Sequence, residues 1–526
     1  MTACGVATSS RAFSRSSALQ SYQSLPKSFL KKQQAKQSAR KFGLRAMSQS
    51  TIVCISSHQI DTADLVEDAI AWCSQHGLVY GAGLSDLPVG LVPAPVSLLP
   101  VTYPRETFLL AKRAAVAFTT MIDAVSMDDD YLRNVLEPAA RHDEFTARLL
   151  KVHEATSAAR AARKGRDISL AINRSDYMLH SPTSSLLQVE LNTIASSFGC
   201  LSTLVSRLHH YLMERSGASS SELENLPPND AMTEIASALG AAVEAHGAPN
   251  GVVVMIVQPG ERNAFDQQWL QLRLWQLKKI RTFRRTLAEI AGRGQIDPAT
   301  GHLILDGHVA SVVYFRAGYT PDDYYTEKEW QAREIIESSN TVACPSVSLQ
   351  LAGSKKVQQD IANPGVLERF AASPQDAELM RTFFAGLWGL DNLTGDSAES
   401  IAASTAVADA IANPGSYVLK PQREGGGNNL YGDALKKRLE AGGVLGDLIL
   451  MQRILPPVKQ SIMVRLGKAT MAETLSELGI YSTYLRKGNE VLLNREAGHL
   501  VRTKAATSDE GGVAAGFAVL DSPYLI

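Results

Sequence analysis

The segment Lys420-Pro-Gln-Arg-Glu-Gly-Gly-Gly-Asn-Asn-Leu-Tyr431 carries the strongest chemical signal in the chain. It ends a short apolar run in a lysine, then adds a carboxylate and three glycines. Gly425, Gly426 and Gly427 let backbone N–H groups approach a phosphate closely and form an anion-binding concavity. Lys420 adds a cation for phosphates, and Glu424 an oxygen for the Mg²⁺ that bridges them. The pattern GxxxxGK[ST] is absent, so this is not a P-loop. A bare glycine triplet reads as a hinge; the flanking lysine, glutamate and Asn428-Asn429 pair point to a nucleotide.

Other residues could join that chemistry. Glu190 and Asn192 end an expected strand, on one face and about 7 Å apart along it. Two such oxygens suit Mg²⁺, although a solvated strand face has the same pattern. Thr193 to Gly199 follows as a small-residue loop, able to hold a peptide backbone or simply to turn. Arg174 stands just after a strand and can bind a carboxylate bidentately, or form a surface ion pair. Arg316 and the group Glu261, Arg262, Asn263 and Gln267 lie beyond strand ends, where parallel sheets bind ligands. Arg502 and Lys504 precede a second glycine- and alanine-rich loop, 510–516, which fits a lid or a close packing site. Lys355-Lys356 reads by default as a solvated pair, and His209-His210 as a polar helix face. No HExxH or GxSxG motif occurs.

Elements to position these groups are legible. Phe108, Ala111, Ala115, Phe118 and Ile122 mark one helical face, and residues 61–165 read mainly as helices. Strands are expected at 167–172 and 186–191, with a Ser/Pro/Asn-rich loop over 216–230. Gly251-Val-Val-Val-Met-Ile-Val is continuously apolar, as strands buried on both faces of a parallel sheet are. A helix over Gln267–Arg284 and a strand over 309–315 complete a small α/β lobe. Further strands are expected at 417–420 and 448–451, and a hairpin at 481–493. The division is a leader at 1–50, a helix-and-strand part at 51–247, a parallel α/β substrate-binding lobe at 248–360, and a nucleotide-binding part with Gly-rich lid at 361–526.

Composition narrows the function. With 52 basic and 53 acidic residues the net charge is -1, which gives no global attraction to nucleic acid or anionic membrane. No apolar run reaches the roughly 18 residues of a membrane span. Cys4, Cys54, Cys73, Cys200 and Cys344 form no CxxC pair and read as free thiols of a reducing compartment. Residues 1–50 contain no Asp or Glu but nine Lys and Arg among many serines, the composition of an organelle transit peptide. Plastid is the expected organelle and mitochondrion the alternative. Met47 offers a start for a shorter cytosolic form.

An ordered set of segments resembles the eukaryotic glutathione synthetase family: Asn173 to Met178, Glu190 to Gly199, Glu261 to Gln267, Tyr314 to Tyr319, Leu351 to Lys356, Lys420 to Gly432, Ser476 to Ile480, Leu500 to Lys504 and Gly511 to Gly516. The resemblance runs from about residue 60 to the C-terminus. It implies an ATP-grasp-like α/β fold, a homodimer, ATP as co-substrate and two Mg²⁺ ions per subunit. It assigns Mg²⁺ to Glu190, Asn192 and Glu424. It assigns ATP to Lys355, Lys420, Glu424, Gly425, Gly426, Gly427, Asn428, Asn429, Tyr431, Met451, Gln452, Arg453, Ile454, Glu477, Lys504 and Glu510. It assigns the dipeptide substrate to Arg174, Ile194, Ala195, Ser196, Ser197, Glu261, Arg262, Asn263, Gln267, Arg316, Ala317, Gly318, Tyr319, Arg502, Val513 and Ala514. Arg174 is the expected catalytic residue. Ala195 and Ala317 depart from the serine and aspartate of animal members. The implied reaction joins γ-glutamylcysteine to glycine through an acyl phosphate. Rival readings are a ligase for β-alanine and a non-catalytic ATP-binding homologue.

Overall fold

The computed structural model describes residues 52–55, 58–81, 90–165, 167–422, 428–508, 513, 516 and 518–526. The leader at 1–50, Glu424 with Gly425 to Gly427, and Glu510 and Ala514 lie outside the described residues. The proposed lids therefore lie largely outside them too.

The central element is a seven-stranded, mostly antiparallel sheet. Its order is Lys459–Arg465, Val96–Ser97, Ala518–Asp521, Glu490–Ala505, Lys468–Lys487, Ile168–His180 and Ser185–Asn192. The expected hairpin at 481–493 is the tip of a far longer pair, Lys468–Lys487 with Glu490–Ala505. Polar residues such as Glu477, Arg502 and Lys504 interrupt the apolar run there, because Glu477 and Arg502 pair with each other across the two strands instead of entering the core. Helix Arg105–Ser126 packs on this sheet, burying the anticipated Phe108, Ala111, Ala115, Phe118 and Ile122.

A second sheet has a parallel core of Thr282–Arg285, Val252–Ile256, His308–Phe315 and Val342–Cys344. Val252 to Ile256 are all buried, as expected of a strand covered on both faces. The expected 267–284 helix is shorter. It spans Ala264–Lys278 and ends where Lys279 turns left-handed (φ 57°) and donates its N–H to the Trp275 carbonyl. Thr282 and Phe283 then favour an extended chain, giving a strand the periodicity hid. The 216–230 loop likewise holds a short helix, Ser220–Leu223, started by a Ser219–Glu222 capping box.

A third, antiparallel sheet orders Leu387–Gly389, Leu448–Gln452 and Tyr417–Pro421. Its last strand delivers Lys420. Among the described residues no helix is long and apolar enough to cross a membrane. Cys73, Cys200 and Cys344 are free and buried.

Candidate active site

Two cross-strand pairs build the heart of the site. Arg174 stands opposite Asn192, and Asp176 opposite Glu190, across the antiparallel strands 168–180 and 185–192. Residues two apart share a strand face, so all four side chains meet on one side. Asp176 is fully buried. It takes Arg174 Nε on Oδ1 at 2.6 Å and Arg174 Nη2 on Oδ2 at 2.8 Å. The strand on the other side of 168–180 places Gly479 beside Asp176 and Tyr481 beside Arg174. A Cβ on Gly479 would lie 2.7 Å from Asp176 Oδ1 and 2.8 Å from Arg174 Cδ, so only glycine leaves room for this pair. Next across the sheet, Glu477 faces Arg502. Arg502 Nη2 bonds both the Glu477 carboxylate and, at 3.0 Å, Asp176 Oδ2.

Two lysines arrive from other elements. Gln358 accepts from Leu191 N–H at 2.8 Å and donates to the Gly353 carbonyl at 2.7 Å, fastening the start of helix Lys355–Ile361 to strand 185–192. This leaves Lys355 Nζ 4.0 Å from Glu190 Oε2. Lys420 Nζ donates to the Val189 carbonyl at 3.0 Å. The Gln422 amide oxygen accepts from Lys356 N–H at 3.0 Å, joining the end of Lys420's strand to the same helix. Lys356 is not the solvated partner its position suggested. It is buried and paired with Gln359 and Asp391.

The electrostatics follow from this crowding. Burial alone would raise the Glu190 carboxyl, but Lys355, Lys420, Arg502 and Arg174 outweigh it and hold the group well below the usual carboxylate range. Glu477 moves the other way: burial raises it, Arg502 opposes, and Asp176 and Glu190 add to the rise. The Glu190 carboxylate and Asn192 amide oxygen are hard donors on one face, beside cations that suit phosphates, so they fit Mg²⁺. Among the described residues no three His, Cys, Asp or Glu form a metal-holding group, and Glu424 lies outside them.

The loop after Asn192 links this centre to the parallel sheet. Ala195 (φ 51°) and Phe198 (φ 73°) hold left-handed backbone conformations, uncommon for residues with a Cβ. Arg174 Nη1 donates to the Ser197 carbonyl at 3.2 Å, and Ser196 Oγ bonds the Asn192 carbonyl at 3.3 Å. Asp266 accepts from the N–H groups of Phe198 and Cys200 at 3.0 and 2.9 Å and pairs with Arg316 at 3.0 Å. Both members of that ion pair are buried. Gln267 accepts from Arg284 at 2.7 Å, while its amide nitrogen and the Asn263 amide oxygen are buried without a partner among the described residues. Glu261 accepts from Asn263 N–H, and Arg262 is exposed. Ala317 and Gly318 are buried. Asn192, Thr193, Ile194, Tyr319, Gln350, Gly353, Lys355 and Gln422 line one cavity, so part of each expected ligand group meets there.

Tyr431 and Ile454 pack against a small apolar cluster of Leu187, Ala385, Val418 and Met451. The Arg453 guanidinium lies 5.5 Å from the Tyr431 ring centroid, and Asn429 donates to the Tyr431 hydroxyl at 3.4 Å. Gln452 and Arg453 N–H groups are engaged by the Gly386 and Ser416 carbonyls at 2.8 Å each. Both N–H groups are thus spent within the fold. Lys504 lies two residues beyond Arg502 on the same strand, and Val513 is buried.

His209 corrects the expectation of a polar helix face. It is fully buried, with Nδ1 2.7 Å from Ser522 Oγ and Nε2 2.9 Å from the Ser97 carbonyl. His210 is exposed as expected. Asp176 and Asp266 were missed. The signal for Asp176 was its place two residues after Arg174; for Asp266 it was only its place within the Glu261 to Gln267 segment, since its partners lie 50 or more positions away.

Residues 59–525 match the family model for the eukaryotic glutathione synthase, ATP binding domain. The chain belongs to the eukaryotic glutathione synthase family. It is 45% identical over 486 residues to the chloroplastic glutathione synthetase of Solanum lycopersicum, covering 90% of this chain and 86% of that protein. It is 37% identical over 439 residues to the glutathione synthetase of Homo sapiens, covering 82% and 90%. A solved glutathione synthetase-like effector of Globodera pallida superposes with a TM-score of 0.69 at 22% identity, over 88% of this chain and 97% of that one. The fold is accordingly mixed α/β and ATP-grasp-like, and family membership makes the chain an ATP-dependent ligase.

Proposed function

We propose that the chain joins γ-glutamylcysteine to glycine and releases ADP and phosphate. The observation that carries this reading is the gathering of Arg174, Arg502, Lys355 and Lys420 around Glu190, beside a cavity that also reaches Ile194 and Tyr319. A carboxylate does not acylate an amine in water because its leaving group is poor. Transfer of the ATP γ-phosphoryl group to the cysteinyl carboxylate gives an acyl phosphate and ADP. The glycine amine then attacks the carbonyl carbon, phosphate leaves with the C–O bond electrons, and the amine loses its proton. Chemistry of this kind is mostly positioning and electrostatics.

In this reading Arg174 faces the reacting carboxyl group and Arg502 a substrate carboxylate. Lys355 and Lys420 would hold phosphates, and Glu190, Asn192 and Glu424 would hold the metal. Mg²⁺ neutralises phosphate charge when bound. The loop 194–197 and residues 261–267 and 316–319 would hold the peptide. Tyr431 and the 451–454 stretch would border the base.

The deciding experiment mixes purified protein with ATP, Mg²⁺, γ-glutamylcysteine and glycine and seeks glutathione by mass. Product with β-alanine in place of glycine would favour the homoglutathione reading, and nucleotide binding without ligation a non-catalytic homologue. The reading extends to a homodimer, testable by sedimentation. It also extends to plastid delivery by residues 1–50, testable by fusing them to a fluorescent protein; the relatives of tomato and Arabidopsis thaliana are named chloroplastic.

A further inference from the structure

We infer that Asp176, whose two oxygens are taken up by neighbouring side chains, is the positioning residue that fixes Arg174, Arg502 and the amide of Asn192 in one arrangement. The inference rests on the ligase reading above. Three hydrogen bonds converge on one oxygen, Oδ2: Arg174 Nη2 at 2.8 Å, Arg502 Nη2 at 3.0 Å and Asn192 Nδ2 at 3.0 Å. The other oxygen takes Arg174 Nε at 2.6 Å. A buried carboxylate only accepts, so it compels the Asn192 NH₂ group to face inward. The same NH₂ group lies 3.3 Å from Glu190 Oε1. With its NH₂ group engaged by Asp176, Asn192 keeps its amide oxygen as the atom left to offer a metal.

The charge logic also singles out Asp176. Without it, Arg174 and Arg502 would repel within one buried space and swing toward other carboxylates, Glu190 among them. Arg174 would then quench the metal ligand instead of meeting substrate. Partners of this kind behind metal ligands typically change metal affinity or activity about 10- to 100-fold when removed.

The test uses the full chain with D176N and D176E. D176N keeps shape but brings an NH₂ group toward three donors; D176E keeps charge but shifts the carboxylate by one methylene. Mn²⁺ binding in the presence of ADP is read by electron paramagnetic resonance, alongside kcat, the KM for γ-glutamylcysteine and thermal unfolding. Folded variants should bind Mn²⁺ at least 10-fold more weakly and lose about 10- to 100-fold in kcat. A folded D176E or D176N with wild-type Mn²⁺ affinity and kcat overturns the inference. So does failure of both variants to fold, which would make Asp176 a residue of stability alone. If wild-type protein forms no glutathione, the ligase reading fails, and the Mn²⁺ titration still judges Asp176.

Discussion

The Tyr481 hydroxyl donates to the Ser197 carbonyl at 2.6 Å, the same oxygen that Arg174 Nη1 approaches at 3.2 Å. A strand residue 284 positions away thus pins the loop that carries Ile194, Ala195, Ser196 and Ser197 to the guanidinium expected to meet substrate. Y481F removes that donor and keeps the ring. A typical net hydrogen bond of about 1 kcal/mol predicts roughly a fivefold rise in the KM for γ-glutamylcysteine. Steady-state kinetics check this, and urea unfolding should show a loss of no more than about 1 kcal/mol.

Gly479 should tolerate no side chain. A methyl group there would push Asp176 and Arg174 out of place, because both lie under 3 Å from a Cβ at that position. Misplacement of a reacting constellation by about 1 Å costs on the order of 100-fold in rate. G479A should therefore lose about that much kcat, measured by glutathione formation. Its far-ultraviolet circular dichroism should stay that of the wild type.

Asp266 should matter to stability more than its place in a helix suggests. D266N leaves Arg316 buried without its counter-charge. It also weakens the bonds that Asp266 accepts from the first turn of helix Gly199–Arg215. Breaking a buried pair costs about 3–5 kcal/mol. Urea unfolding of D266N should show a loss of that size.

His209 sets an acid limit. Burial lowers it to about 4, partly countered by its bond to the Ser97 carbonyl, from an unfolded value of 6.5. Between these values the unfolded chain binds a proton that the folded chain refuses. The stabilising effect is complete above pH 6.5 and lost as pH falls toward 4, by about 3 kcal/mol. Asp521 acts on the other side. Burial pushes it up to about 7 against bonds that lower it, so its folded form keeps a proton the unfolded chain has released. That contribution is complete below pH 3.8 and declines as pH rises through 7. H209Q should flatten the acid arm of a urea-stability profile, and D521N the alkaline arm.

What the sequence disclosed depended on how locally each residue's role is determined. Glu190 with Asn192, and Lys420 at a strand end, were readable because alternation and a short motif place them without distant partners. The buried strand at 252–256 was readable because both its faces are covered. Lys356 and His209 were misread because their surroundings come from Asp391, Ser97 and Ser522, far away in the chain. The strand at 282–285 was hidden by the helical pattern before it. Gly479 looks like any glycine until the register sets it against Asp176.

Arg174, Asp176, Glu190, Asn192, Glu477 and Arg502 all ride on four adjoining strands of one sheet. Such a ladder resists shear, since sliding one strand breaks a whole row of hydrogen bonds at once. Loading and release must then come from elements that approach this rigid palm from outside. Structures trapped at successive stages of turnover should superpose along these four strands while their surroundings shift.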